Sequence, residues 1–174
     1  GTITGSRYYK DGANNGTHTG SMWTINGTQL ATSTFSNETA SGWQEVTFSS
    51  PVTITPGVTY VASYYAPAGN YTFSANTFTG AGVTNASNTL TALQSGVDGS
   101  NGVYLVQFGG GFPTSSFNDA NYWVDVTFRP SAGINLFSLT SITSAAGCVT
   151  TGSPLDTAAV SLNQEAAPAV IPTV

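Results

Sequence analysis

Short runs of alternating apolar and polar residues, separated by turns rich in glycine, asparagine and proline, fill the first 130 residues of the chain. Alternation puts successive side chains on opposite faces of a strand, so each run predicts a strand with one buried face. The first run is Thr2–Lys10, and it ends at Asp11 and Gly12. Turns at a spacing of roughly 8 to 12 residues are typical of a β-sandwich or barrel. Almost nothing in the chain favours a helix.

The clearest turn is Asn26-Gly27, which lies between two strand-like segments, residues 21–25 and 28–34. Asn-Gly is the dipeptide preferred in two-residue hairpin loops, because both positions tolerate a positive φ. The sequence therefore predicts a β-hairpin here.

The next runs continue the half-buried pattern. Residues 43–49 place Val46 and Phe48 on one face, and residues 51–56 carry Val52 and Ile54 inward. This pattern predicts a pair of half-buried strands.

Residues 58–65 are apolar on both faces, as expected of a central strand covered from two sides. Further strands are predicted over residues 71–78 and 103–108, and residues 122–128 close the domain. In this last strand one face carries Tyr122, Val124, Val126 and Phe128, and the other carries Trp123, Asp125 and Thr127.

The composition changes after Pro130. Residues 131–174 hold a single aromatic residue, Phe137, among many Ala, Ser, Thr and Pro. We interpret residues 1–130 as an all-β sandwich domain and residues 131–174 as an extended tail. The tail contains strand-length apolar stretches, which a purely disordered linker would usually lack.

Charged residues make up only 6% of the chain, against a norm of about 25%. A surface that is polar without charge suits an extracellular or cell-surface protein. The net charge of -5, with Arg7, Lys10 and Arg129 as the fixed cations, excludes binding to the phosphates of a nucleic acid. The apolar runs are shorter than the ~20 residues that span a bilayer, so no membrane span is expected.

Catalytic chemistry has little support in the sequence. His18 is the only histidine and lies in a turn-like loop, where a structural or surface role is expected. Cys148 is the only cysteine, so it forms no disulfide within the chain; it is either a small buried or tail residue or the site of a disulfide between subunits. No pair of acidic residues has the spacing of a glycosidase site. We expect no enzymatic activity and no catalytic residues.

No cofactor and no metal site is expected, and a structural Ca²⁺ site is the one alternative that the sequence offers. Asp98 and Asp119 lie in loops rich in Asn and Gly, where carboxylates and loop carbonyls could hold a structural Ca²⁺. The pattern favours the alternative, that they are solvated loop acids.

Exposed aromatic residues raise a second possibility, because a flat ring can stack on the face of a sugar. Trp43, Trp123 and Tyr65 alternate out of phase with the core residues of their strands. Such residues also pack under loops or against neighbouring subunits. Five Asn-x-Ser/Thr sequences are candidate glycosylation sites, at Asn15, Asn26, Asn37, Asn70 and Asn85.

Residues 1–129 resemble a bacterial family known as domain of unknown function 4082. The segments that carry the resemblance occur in order at residues 1–10, 15–20, 22–23, 30–32, 42–48, 60–64, 101–104 and 121–128. The resemblance implies a jelly-roll β-sandwich from a modular secreted or surface protein, and it brings no catalytic residues. Members of this family usually carry one more strand before the segment that matches Gly1 to Thr4.

A sandwich without that strand would have an open slot, with unpaired backbone groups beside core residues. We expect the tail of one subunit to fill the slot of the next. The leading donor residues are Val160, Leu162, Val170 and Ile171, with residues 134–142 as the alternative donor segment. Two other roles stay open for the tail: a linker to another domain, or a segment that folds back into its own slot.

The sequence thus predicts a structural subunit of an extracellular filament or surface fibre, whose partner is a second copy of the chain. The alternative prediction is a non-catalytic carbohydrate-binding module of a larger secreted protein, with glycans as its partners.

Overall fold

The computed structural model of the chain describes residues 1–131 and two short strands farther on. Gly1–Ala132 form one compact unit. Its strands are β1 (Thr2–Lys10), β2 (Thr19–Thr24), β3 (Gln29–Thr34), β4 (Gly42–Thr53), β5 (Tyr60–Tyr65), β6 (Val83–Thr84), β7 (Thr91–Ala92), β8 (Val103–Tyr104), β9 (Ser115–Ser116) and β10 (Val124–Arg129). Beyond this unit, β11 (Ile142–Thr143) pairs antiparallel with β12 (Val149–Thr150). The strands confirm the predicted all-β sandwich, and none of the described residues forms a helix long and apolar enough to cross a membrane.

The first sheet has the order β10-β1-β4, with both neighbours antiparallel to β1. The register of β1 shifts between Ile3 and Gly5. This bulge changes the phase of the strand, so that Ile3 faces inward before it and Ser6 and Tyr8 face inward after it. The bulge is why one strand can bury an odd-numbered residue and then even-numbered ones.

The second sheet has the order β3-β2-β5. The predicted hairpin is confirmed, although its loop is longer than two residues. Gly27 N–H donates to the Thr24 carbonyl (3.0 Å) and Thr24 N–H to the Thr28 carbonyl (2.9 Å). Gly27 alone in this turn has a positive φ, of 86°. This is the geometry of a type I turn followed by a left-handed glycine, which closes longer hairpin loops.

The core lies between the two sheets. Its buried residues are Ile3 of β1, Met22 of β2, and Phe48 and Val52 of β4. Apolar side chains that are partly buried surround them, and these are Ala31, Ile54, Tyr60, Ala62, Leu90, Val126 and Phe128. Burial of these side chains on facing sheets is the main contribution to the stability of the sandwich.

The predictions over residues 43–56 and 58–65 need correction. The expected pair over residues 43–56 is one continuous strand, β4, because the bulge opposite Thr4 accommodates Pro51 without ending the pairing. The expected central strand over residues 58–65 is β5, which within the described residues pairs with β2 alone and so lies at a sheet edge. Its residues are half-buried on both faces.

The strands expected over residues 71–78 and 103–108 are largely loop. In the first, Ser74 makes an isolated bridge to Asn121, and in the second only Val103–Tyr104 forms a strand. The side chains of Val106 and Phe108 are 89% and 98% exposed. Apolar character alone does not make a strand when no partner backbone lies alongside.

Candidate functional site

The sandwich has a large concavity along one side. Near β3 and β4 the sheets meet, and Phe35, in the connection between these strands, is buried. On the other side β5 and β10 end their sheets, and each pairs with one strand among the described residues. Along this side lies a concavity of about 1450 Å³, which we call the open groove; β5 and β10 themselves are in contact beside it. Its walls include core residues from both sheets, among them Ile3, Met22, Tyr60, Ala62, Leu90 and Val126.

The open groove is a large concavity that opens to solvent. Because protein interiors are otherwise close-packed, a concavity of this size that core residues help to line is a candidate binding site. Its rim is also apolar and exposed: Val58, Val97, Val106 and Phe108 line it with 51%, 60%, 89% and 98% of their surface accessible. Exposed apolar surface of this extent marks a binding site in many proteins.

The edge of β5 adds backbone groups to this apolar surface. Because β5 pairs with β2 alone, the groups on its other edge have no strand partner within the described part of the chain. Such an edge is a template for a further strand. The groove can therefore accept both the backbone and the apolar side chains of an extended segment.

The proposed donor residues Val160, Leu162, Val170 and Ile171 lie outside the described residues, as does most of the alternative donor segment 134–142. Cys148 also lies outside them. The predictions about the tail therefore stay predictions.

A second feature is an aromatic cleft on the outer face of the first sheet. It is lined by Tyr9, Trp43, Phe73 and Trp123, with Thr72 and Ser74, and has a volume of about 350 Å³. Trp43 lies opposite Tyr9 in the β1–β4 register, and Tyr9 N–H donates to the Trp123 carbonyl (2.9 Å). The structure thus brings together two of the three aromatic residues singled out in the sequence.

Tyr65, the third, lies elsewhere. It is on β5 in the second sheet, where its hydroxyl accepts a hydrogen bond from Gly109 N–H (3.1 Å) and its ring lies against Gly110. Tyr65 lines the open groove and not the aromatic cleft. Tyr9 and Phe73 were missed in the sequence; Tyr9 could have been found from its outward phase in β1.

A buried polar cluster lies beneath β1. His18 is fully buried, and its Nδ1 donates to the Glu38 carboxylate at 2.9 and 3.0 Å, while its Nε2 lies 2.9 Å from Asn14 Oδ1. Lys10 Nζ lies 2.7 Å from Glu38 Oε2, and the Tyr8 hydroxyl donates to the same oxygen at 3.0 Å. His18 therefore has the structural role, and both of its nitrogens are occupied in the interior.

Glu38 is a largely buried acidic residue that was not singled out in the sequence. Its side chain is only 11% exposed. Burial by itself raises the pKa of Glu38, but hydrogen bonds from Lys10, His18 and Tyr8 outweigh it and hold that pKa below its ordinary value. Burial, with the hydrogen bond and charge of Glu38, raises the pKa of Tyr8 far above its ordinary value. The cluster fixes the connection after β3 to the first sheet.

The two acids considered for Ca²⁺ each accept a threonine hydroxyl. Asp98 accepts one from Thr59, and Asp119 accepts one from Thr79 at 3.0 Å. Within the described residues, no group of three or more His, Cys, Asp or Glu side chains is arranged to hold a metal ion.

All five asparagines of the candidate glycosylation sites are exposed: Asn15, Asn26, Asn37, Asn70 and Asn85. Asn26 lies in the hairpin loop after β2, and Asn37 has a positive φ of 55° in the connection before β4. Exposure in turns is what attachment of a glycan requires.

Comparison with known proteins gives one match. The model of a family described as a domain of unknown function (DUF4082) matches residues 1–124. No curated protein and no solved structure matches the chain.

Proposed function

We propose that this chain, which belongs to the family described as a domain of unknown function (DUF4082), is the structural subunit of an extracellular filament. Subunits join head to tail when the C-terminal tail of one lies as a strand in the open groove of the next. The observation that carries this proposal is the concavity lined by core residues beside β5, whose second edge has no strand partner among the described residues.

An added strand would supply both a backbone partner for the edge of β5 and apolar side chains to cover the walls of the groove. Its backbone pairs with the edge of β5, and its inward side chains fill space next to Ile3 and Met22. The apolar rim residues Val106 and Phe108 become covered in the same step. Each of these contacts removes apolar surface from water, which favours association.

The tail has residues suited to this task. Val160 and Leu162 are two positions apart, so in an extended strand they lie on the same face. Val170 and Ile171 form a second short apolar stretch. A head-to-tail join uses different surfaces on the two partners, and repeating it gives a filament unless the rotation closes into a ring.

An extracellular location agrees with the surface chemistry. Charged residues are rare, and the five exposed asparagines of the Asn-x-Ser/Thr sequences lie in positions that a glycosylation enzyme could reach.

Electron microscopy of the purified full-length chain tests the proposal. We expect fibres from the wild-type chain and none after removal of residues 156–174. The sharper comparison uses point substitutions: Leu162→Asp with Val170→Asp should abolish fibres, because a buried carboxylate is costly. The matched control, Ser161→Asp with Thr173→Asp, adds the same charge at polar positions and should leave fibres intact.

A synthetic peptide of residues 156–174 gives an independent test. In excess it should occupy the grooves and shorten growing fibres, whereas a scrambled peptide should not. A wild-type chain that stays monomeric at all concentrations, folded and unaffected by the peptide, would mean that the tail is a linker or folds back into its own subunit, and would overturn the proposal.

A further inference from the structure

On the outer face of the first sheet, side chains that lie opposite one another on β4, on β1 and on the segment that leads into β10 form rows across the sheet. One row is Trp43, Tyr9 and Trp123, in which neighbouring rings are nearly perpendicular: 5.8 Å and 86° for Tyr9 and Trp43, and 6.3 Å and 72° for Trp43 and Trp123. Phe73 closes the cleft from the loop after β5. The result is a concave site with aromatic walls.

These rings are not buried by folding. Tyr9, Trp43 and Phe73 keep 37%, 41% and 48% of their surface exposed. Large aromatic residues lose the most free energy by staying in water, so a group of them on one concave surface suits a ligand.

Trp123 is held in place before any ligand arrives. It adopts a φ of 51°, a left-handed conformation that is strained for a bulky residue. Its backbone N–H donates to Asn121 Oδ1 (2.8 Å), and its indole N–H donates to Ser74 Oγ (3.2 Å). Strain of this kind persists where the surroundings fix it and is common at binding sites.

The neighbouring row carries charge. Arg7 lies opposite Glu45 on one side and Asp125 on the other, and its guanidinium carbon lies 4.8 Å from the centre of the Trp43 ring. Glu45 Oε1 also accepts a hydrogen bond from the Thr127 hydroxyl (3.1 Å). Two carboxylates beside one cation give the row a net negative charge, which disfavours phosphates and acidic sugars.

A neutral hexopyranose has the matching chemistry. One of its faces is apolar and stacks on aromatic rings, while its equatorial hydroxyls donate to and accept from polar groups at the rim. The cleft volume falls in the range of roughly 300 to 1,000 Å³ that small-molecule sites occupy, whereas a protein partner would need about 800 Å² of contact surface.

The Tyr71 and Tyr122 rings, 5.5 Å apart, line the open groove and are not part of the cleft. We propose that the aromatic cleft of Tyr9, Trp43, Phe73 and Trp123 binds a sugar residue of a neutral glucan. Together with the proposed assembly, this lets the filament hold extracellular polysaccharide.

Titration of the full-length chain with cellohexaose, followed by tryptophan fluorescence and calorimetry, tests this proposal. We expect saturable binding that Trp43→Ala weakens about tenfold or more, since a stacking surface is lost, and that Trp43→Tyr largely restores. Phe117→Ala, a substitution of an exposed aromatic residue that lines neither the cleft nor the open groove, should leave binding unchanged. Polygalacturonate, a negatively charged chain, should bind far more weakly than cellohexaose.

Two results would overturn the proposal. One is a wild-type chain that binds neither cellohexaose nor insoluble cellulose. The other is a Trp43→Ala variant that binds normally but changes the fibres seen by electron microscopy, which would make this face a contact between copies of the chain. The melting temperature of each variant shows whether it is folded, and Trp43 is exposed enough for its replacement to be tolerated.

Discussion

At the scale of single residues, the carboxylate of Glu38 is the centre of a buried network that includes four other polar residues. Glu38 interacts with His18, Lys10 and Tyr8, and His18 in turn reaches Asn14. A carboxylate removed from water is tolerated because each of its oxygens is paired. The spacing of 20 residues between His18 and Glu38 predicts no contact, so only the folded connection after β3 brings them together.

We expect Glu38→Gln to lower the free energy of unfolding by on the order of 3 kcal/mol, because it leaves Lys10 without its counter-charge in the interior. The matched control is Glu45→Gln. Glu45 is exposed and lies 3.8 Å from Arg7, so its replacement should change stability by roughly 0.5 kcal/mol or less. Urea unfolding at pH 7 measures both, and equal effects would contradict the structural role of Glu38.

The same residue predicts a pH dependence. Its pKa in the folded chain is lower than its ordinary value of 4.5, so its contribution to stability is present above the unfolded value and is lost as the pH falls. Unfolding midpoints between pH 6 and pH 3 should therefore fall more steeply for the wild-type chain than for Glu38→Gln. Parallel curves would show that Glu38 titrates normally.

At the scale of elements, the alternation of residues predicts where strands form but not which edge each one takes. β1 and the β2–β3 hairpin follow directly from local pattern. β5 was expected in the centre of a sheet because both of its faces are apolar, yet it lies at an edge, where apolar residues line the open groove. A strand's own residues cannot distinguish cover by a second strand from cover by loops.

The hairpin loop gives a prediction at this scale. Gly27 has a φ of 86°, and a Cβ there would lie 2.9 Å from the Phe112 ring, which packs against Trp23. Gly57 has a similar φ of 75° but nothing within 4 Å. Gly57→Ala should cost about 1 kcal/mol for the left-handed conformation alone, and Gly27→Ala about 1 kcal/mol more, because Phe112 must move.

Chemical denaturation of the two variants measures this difference. Equal losses of stability would mean that the contact between the hairpin loop and Phe112 contributes nothing.

At the scale of the whole molecule, the scarcity of charge sets how the filament should respond to salt. A join made by apolar burial and backbone pairing has few charges to screen, whereas contacts between charged surfaces weaken above a few tenths molar salt. We expect fibre length in electron micrographs to be unchanged between low salt and 1 M NaCl, with loss of fibres only in denaturant. Fibres that dissolve at 1 M NaCl would contradict a strand-donation join.

The sequence by itself determined the all-β class, the hairpin at Asn26-Gly27, the position of β1, and the inward and outward faces of β4 and β10. It could do so because these features depend on neighbouring residues along one strand. The tertiary structure decided the cluster around Glu38, the aromatic cleft and the open groove. Each of these joins segments that are far apart in the chain, and their contacts depend on bulges and sheet edges that no local pattern encodes. The concave side of the sandwich, where β5 and β10 end their sheets, comes from the pairing of whole strands, and the proposal of a self-assembling subunit rests on it.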